Sequence, residues 1–386
     1  MPHDDLVWIK PSVTRADDAR RWADGLDLAL PSEALKVLGV SSRQCVDGWP
    51  VPVEPVPQLE RYVHALRLRA AFTDVAPTSS RLPFSYHLLP SFVRDMVAHA
   101  IGRWKFRQVR QWAKFPCWPL DLSADFLADL AGLDNRVSVR GRTPVLLTHD
   151  LDSAEGVTNF LKHFTDLEER AGARSHNFVV PCGYPLDAAK LREIVARGHK
   201  IGVHGYDHSN KTPFADGQTR KERLDSGLRA LQPFQAEGYR APSLLRTETL
   251  LQNLAGRYRF DSSIPTSGGL FPIPNNGCAS ARPFLIGGLW ELPLSLPRDG
   301  SLRFLGYSPA QILQLWKEGS LKISQSGGIV VLLTHCERRF SGNPKMLRIY
   351  EEFLEFVAAS EQFVFSSSDE IIAAAEAKQG VASQAA

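Results

Sequence analysis

Pro144-Val145-Leu146-Leu147-Thr148-His149-Asp150-Leu151-Asp152 is the stretch on which the reading of this chain turns. The apolar run Val145–Thr148 passes without a turn into two carboxylates, Asp150 and Asp152. Side chains of extended backbone alternate between faces, so these two carboxylates point to the same side. Parallel α/β barrels build their active sites at strand ends of this kind.

Downstream the same texture repeats. Short apolar runs read as strands at Phe178–Pro181, Ile201–His204, Tyr239–Ala241, Leu289–Pro293, Ile329–Thr334 and Phe363–Ser366. Helical patterns lie between them at Ala154–Ala171, Asp187–Arg197, Arg220–Leu231, Thr247–Arg257, Pro309–Lys322 and Lys345–Ala358. Alternating strands and helices mean parallel strands with covering helices. Seven or so such units predict an α/β fold, a distorted (β/α)7-8 barrel over residues 141–375. Residues 376–386, rich in Ala, Gln and Ser, read as a disordered tail.

Upstream, residues 1–140 form a mostly helical extension rich in Trp, Arg and Pro. Val51–Pro57 (VPVEPVP) reads as an extended connector. Val93, Val97, Ile101, Trp104, Trp112 and Phe115 recur at near-helical spacing over 93–115, predicting an amphipathic helix with Arg and Lys on its other face. Ser123 is expected to cap a short helix to Leu130. The basic run Arg103, Lys105, Arg107, Arg110 and Lys114, set among Trp104, Phe106 and Trp112, admits contact with an anionic membrane or a lipid-linked sugar. Its plainer reading is a solvated face over a core stripe.

The chain of 386 residues is long enough for a large domain and a smaller one, each with a core. A formal net charge of +3 gives no argument for nucleic acid. Five scattered cysteines, Cys45, Cys117, Cys182, Cys278 and Cys336, contain no C-x-x-C pair and form neither a disulfide framework nor a zinc knuckle. Met1 to Trp8 lacks the basic start and apolar stretch of a signal peptide, and no run suits a membrane span. A cytoplasmic protein with reduced thiols is expected.

Three further strand ends carry polar residues. His204-Gly205-Tyr206-Asp207-His208 places two imidazoles four apart, able to face one ion if the loop forms a helical turn. Two imidazoles and one carboxylate with an open fourth position make a catalytic zinc-type site. The spare carboxylate then serves as general base. Gly238-Tyr239-Arg240-Ala241-Pro242 ends a strand in arginine, and Val330–His335 ends one in a histidine suited to protonating a leaving amine. Each signal has a structural reading on its own: a helix cap, a surface histidine pair, a salt bridge, a core histidine. Four such groups on one predicted rim favour the chemical reading. Cys336, beside His335, points to the opposite face and reads as packing. Tyr184 and Tyr206 flank predicted rim loops.

In their order, these motifs resemble the polysaccharide deacetylase family (NodB-homology domain, carbohydrate esterase family four), over about Arg142 to Glu370. Thr148–Asp152 is similar to the Asp-x-Asp branch of its first motif, which makes Asp150 the catalytic base and Asp152 a metal ligand. His204 and His208 match the second motif and become the other ligands. Arg240-Ala241-Pro242 matches the third, with Arg240 tuning Asp150. Ser243 stands where the family has an aromatic residue, so its backbone N–H becomes the oxyanion donor. Phe260-Asp261-Ser262-Ser263 resembles part of the fourth motif without its Asp-Trp pair, and Trp290-Glu291 is offered in that role. Leu333-Thr334-His335 matches the fifth, making His335 the general acid, oriented by Asp261 or Glu291.

The resemblance implies a hydrolase of carbon–nitrogen bonds. Its cofactor would be one divalent metal, zinc by default with cobalt or nickel admissible. Its substrate would be an N-acylated amino sugar or glycan, with no nucleic acid partner. The alternatives are an allantoinase-like amidohydrolase and an inactive carbohydrate-binding relative.

Overall fold

A computed structural model describes residues 5–9, 26, 28–39, 56–73, 75–82, 89–112, 120–267 and 277–384. The N-terminal part contributes an antiparallel ribbon, β1 (Leu6–Ile9) with β2 (Leu28–Pro31), and the helices α1 (Ser32–Val37), α2 (Pro57–Arg69), α3 (Thr78–Arg81), α4 (Ser91–Trp112) and α5 (Ser123–Leu130). Then come β3 (Thr143–Leu151), β4 (His176–Val179), β5 (Lys200–His204), β6 (Gly238–Arg240), β7 (Phe260–Asp261), β8 (Phe284–Ile286), β9 (Leu289–Glu291), β10 (Val330–His335) and β11 (Phe363–Phe365). The main sheet runs β10-β3-β4-β5-β6-β7-β9-β8, parallel throughout except for the β8–β9 pair, and β11 joins β3. It is the curled sheet of a distorted (β/α) barrel, as its sequence predicts.

All seven expected strands are present, and helices cover the intervals between them. Two more strands, β7 and β8, span two and three residues, too short to show any periodicity. The gap between β10 and the chain beyond β9 is bridged by Leu296 N–H to Val331 O (3.2 Å) and Val331 N–H to Ser295 Oγ (2.7 Å).

Alternation along the strands sorts the side chains into two layers. Leu146, Phe178, Phe260, Trp290, Leu292, Val331 and Leu333 fill the barrel interior, closed by Ile371 and Ile372 of the Ser368–Gln384 helix. The tail expected to fray therefore continues as helix through Gln384, anchored by its first turns. Val145, Leu147, Leu151, Leu332 and Cys336 point outward to the covering helices, so Cys336 is a packing residue.

Among the described residues, the N-terminal extension shows no core separate from that of the sheet. Leu59, Val63 and Leu66 of α2 and Phe126 and Leu127 of α5 belong to the same apolar cluster as the outward faces of β3 and β10. Buried ionic contacts reinforce the join: Asp125 accepts Ala281 N–H at 2.8 Å, and Arg282 donates to Asp129 at 2.6 Å. Ser123 does not cap α5. It accepts Ala29 N–H at 2.8 Å and donates to Asp121 at 2.6 Å, stitching α5 to β2.

α4 corrects a second expectation. Its large apolar residues do not face a core: Met96 is 64% exposed and Trp104 61%. The helix docks instead through Ala98 and Phe106 against Phe304, Leu305, Tyr307 and Phe340. Gly102 permits this approach, because a Cβ there would lie 2.1 Å from the Phe304 carbonyl oxygen. Ala is favoured over Gly in an open helix by about 1 kcal/mol. Here the contact reverses the sign: Gly102→Ala is expected to destabilise by about 1–3 kcal/mol, as overpacking does. A raised midpoint of thermal unfolding would show that α4 is not held this closely.

The part of the sequence-based stripe at Trp112 and Phe115, with Arg110 and Lys114, has side chains outside the described residues. So has most of the connector at 51–57. Among the described residues, no helix is long and apolar enough to cross a membrane.

Candidate metal and acid–base centre

The inward residues at the ends of β3, β5 and β10 meet in one cavity of about 520 Å³, joined by Ser243 from the turn after β6. Asp150, Asp152, His204, His208, Ser243 and His335 all line it. β3 carries Asp150 on its inner face with Asp152 one residue past its end, β5 ends in His204, and β10 ends in His335.

Asp152 Oδ1 lies 3.3 Å from His204 Nε2 and 3.3 Å from His208 Nε2. This buried oxygen has no hydrogen-bond partner. His204 Nδ1 is 3.0 Å from the Arg240 carbonyl, which fixes Nδ1 as the protonated nitrogen and turns Nε2 toward Asp152. Among the described residues, Asp152, His204 and His208 are the one His/Cys/Asp/Glu group close enough to hold a metal ion. One carboxylate and two imidazoles converging on an orphaned oxygen suit a divalent ion of the zinc type.

Burial opposes charge on His204, but the Asp150 and Asp152 carboxylates outweigh it and raise its pKa. Burial would lift Asp152, yet His208 and His204 hold it well below the ordinary carboxylate value.

His208 does not reach this point through a helical turn. Residues 205–210 form an irregular loop with Gly205 at φ +65°, His208 at +56° and Asn210 at +64°. A Cβ on Gly205 would lie 2.5 Å from the Pro242 ring, so only glycine fits both its backbone and its space. His208 holds a left-handed conformation uncommon for its type, as side chains at functional sites often do.

Asp150 Oδ2 lies 3.5 Å from His204 Nε2, and its Oδ1 accepts Arg240 Nη1 at 3.1 Å. Arg240 is fully buried. It also donates to Thr148 Oγ1 (2.9 Å), Ser262 O (2.8 Å) and Ser262 Oγ (2.9 Å), and its guanidinium stacks 4.2 Å over the Phe178 ring. Those contacts hold Asp150 at the rim. Ser243 lines the cavity with φ +53°.

His335 is oriented by neither carboxylate expected from sequence. Its Nδ1 pairs with Asp299 Oδ1 at 2.7 Å and its backbone N–H donates to Asp299 Oδ2 at 2.8 Å. Burial disfavours the imidazolium, but Asp299 overrides it, aided by Asp152 and Asp150, and the pKa rises to about 9. With Nδ1 engaged, Nε2 is the nitrogen left for the cavity.

Alternation explains the correction. Phe260 and Trp290 point into the barrel, so Asp261 and Glu291 point out of it, away from His335. They lie opposite each other in the β7–β9 register and pair together. Burial raises Glu291 well above the ordinary value, which leaves it the protonated partner. Asp261 accepts from Ser263, and Glu291 accepts Ile264 N–H at 2.9 Å.

Tyr206 is also outside the cavity lining and lies under Arg223, whose guanidinium sits 5.2 Å from its ring centroid. Tyr184 donates to the Leu151 carbonyl at 2.9 Å, bracing the end of β3.

Sequence reading missed three contributors. Asp299 opens the helix Asp299–Leu305, and its only local signal is an acid in a first helical turn. Asn210 donates to Ser79 Oγ of α3 at 3.2 Å, while its buried Oδ1 has no partner and borders the cavity. Leu82, Leu89, Val93, Val97 and Ile101, around α3 and α4, roof the cavity with apolar surface. Helix spacing groups some of these residues but says nothing of what they cover.

No family model matches the chain, and no curated protein matches it by sequence. Solved structures do match in fold. A candidate polysaccharide deacetylase from Mycobacterium smegmatis superposes with TM-score 0.51 at 23% identity, covering 64% of this chain and 94% of that one. A family 4 carbohydrate esterase from Streptomyces lividans in complex with acetate gives TM-score 0.38 at 14% identity, covering 60% and 94%. Puue allantoinase gives 0.46 at 19%, covering 58% and 74%. The fold of this chain is that of a NodB-like polysaccharide deacetylase domain.

Proposed function

We propose that the chain is a metal-dependent hydrolase that removes an N-acyl group, acetyl above all, from an amino sugar. One observation carries the reading. Asp152, His204 and His208 converge on one point, with Asp150 beside them and a protonated His335–Asp299 pair in the same cavity.

Asp152, His204 and His208 would hold the ion, which when bound polarises a carbonyl and makes water more acidic. Asp150, fixed by Arg240, takes a proton from the attacking water as its oxygen bonds the acyl carbon. The backbone N–H at Ser243 is the candidate donor to the oxygen of the tetrahedral intermediate. As the C–N bond breaks, His335 Nε2 gives its proton to the departing nitrogen, and Asp299 stabilises the imidazolium until then. The products are a carboxylic acid and a free amine.

The roof narrows the substrate. Val93, Val97 and Ile101 of α4 line one side of the cavity, which supports a sugar presented end-on over a link within a chain crossing the site. A cavity of this volume suits a small head group. Its apolar walls also suit a compact non-sugar amide, the second reading.

The test is amine release from N-acetylated mono- and disaccharides, a long N-acetylated polymer and a cyclic amide such as allantoin, each with and without chelator. The expected result is chelator-sensitive release from the short sugars, with the polymer the poorer substrate. Release from the cyclic amide alone would select the second reading, and chelator-resistant release would remove the metal.

A further inference from the structure

α4 presents a surface that the fold leaves uncovered among the described residues. Phe92 is 71% exposed, Met96 64%, Val97 50%, Ile101 40% and Trp104 61%. At about 100° per residue these side chains span one half of the helix, opposite the Ala98, Gly102 and Phe106 face that docks on Phe304. Val97 and Ile101 belong to both surfaces: they are exposed and they line the catalytic cavity. The apolar stripe is therefore continuous with the cavity wall.

The charge on and around this helix has one sign. α4 carries Arg94, Arg103, Lys105, Arg107 and Arg110 against the single acid Asp95. Asp95 is itself neutralised by Arg303 at 3.2 Å and Arg339 at 3.6 Å. Arg103 and Arg107 are exposed beside the stripe, and Lys105 Nζ lies 4.6 Å from the Trp104 ring centroid. Arg94, Arg298 and Arg339 line the same cavity as Val97 and Ile101, Arg298 from its buried wall and Arg339 while paired to Asp95. Exposed aromatic and aliphatic side chains flanked by Arg and Lys are the composition of a helix lying in the interface of an anionic bilayer. A protein partner would have to be both apolar and acidic along the same stripe, and a second copy of α4 would bring like charge against like.

We propose that α4 docks the protein on an anionic lipid surface, and that the sugar entering the cavity is carried there by a lipid phosphate. The lipid chain lies along Met96, Val97 and Trp104, the phosphate meets Arg94 and Arg339 of the cavity lining, and the N-acylated sugar reaches His335 and Asp152. The docking stands on the helix surface alone; the identity of the cargo rests on the deacylase reading.

The full chain is mixed with phosphatidylcholine vesicles, with and without phosphatidylglycerol, and sedimented. Binding is expected only with phosphatidylglycerol, and salt should release it. The triple variant Phe92→Ser, Met96→Ser, Trp104→Ser and the pair Arg103→Glu, Arg107→Glu should each weaken it about tenfold or more. The substituted residues are exposed and lie outside the cavity lining, so amine release from a soluble short sugar should be unchanged in the triple variant. Release from the same sugar on a polyprenyl phosphate in vesicles should fall about tenfold.

Absence of wild-type binding at low salt overturns the docking, as does binding that neither variant weakens. A dimer dissolved by the triple variant, without vesicle binding, assigns the stripe to a second copy. Equal loss on soluble and lipid-borne sugar overturns the cargo. A chain that releases no amine from any substrate but still sediments refutes the deacylase reading and leaves the docking intact.

Discussion

Asp152→Ala is expected to abolish metal binding and to lower amide hydrolysis by on the order of 10³-fold or more. Asp152 is the anionic member of the triangle, and its Oδ1 stands 3.3 Å from both imidazole nitrogens. Without it, two imidazoles remain with no carboxylate between them, and Asp150 is already committed to Arg240. The fold should survive, because Asp152 caps no element and belongs to neither apolar cluster. The readouts are metal content of the purified protein and the rise of its thermal midpoint on adding zinc. Wild type should gain stability by mass action and the variant should not. A variant that keeps both metal and rate would remove Asp152 from the site.

His335→Ala is expected to lower kcat by about 10²–10⁴-fold while metal content stays at the wild-type level. The split separates an acid from a ligand. The pH profile then tests Asp299. His335 has its pKa raised to about 9, so its acid form is present below that pH and is lost as pH rises through it. The wild-type rate should fall on the alkaline side near pH 9. Asp299→Asn removes the largest of the influences that raise the pKa and leaves burial, which lowers it. The alkaline limb should move to lower pH, with rate recovering below the new limb. A profile that drops uniformly without moving would assign Asp299 a purely structural role.

Asp150, His204, Arg240 and His335 were legible because each stands at or next to a strand end, with Asp152 one residue past β3 and His208 in the loop after β5. Alternation decides which side such a residue faces, and in a parallel sheet all strand ends lie at one edge, so local pattern was enough to gather them. The same rule, carried one step further, excludes Asp261 and Glu291, since Phe260 and Trp290 occupy the inner face just before them. Asp299 was not legible. It reaches His335 only because the Asp299–Leu305 helix, thirty-six positions upstream, packs against the end of β10.

By itself, then, the sequence determined the alternating β/α order, the residues at the strand ends and the two sides they face. Those are consequences of backbone geometry acting over a few neighbouring residues. Only the tertiary structure decided which carboxylate holds His335, how the left-handed loop from Gly205 brings His208 to Asp152, and which face of α4 is buried. Spacing along a helix says which side chains share a face, but not which face finds a partner. On α4 a 2.1 Å approach at Gly102 settled that, turning the large apolar side chains toward the cavity and the solvent.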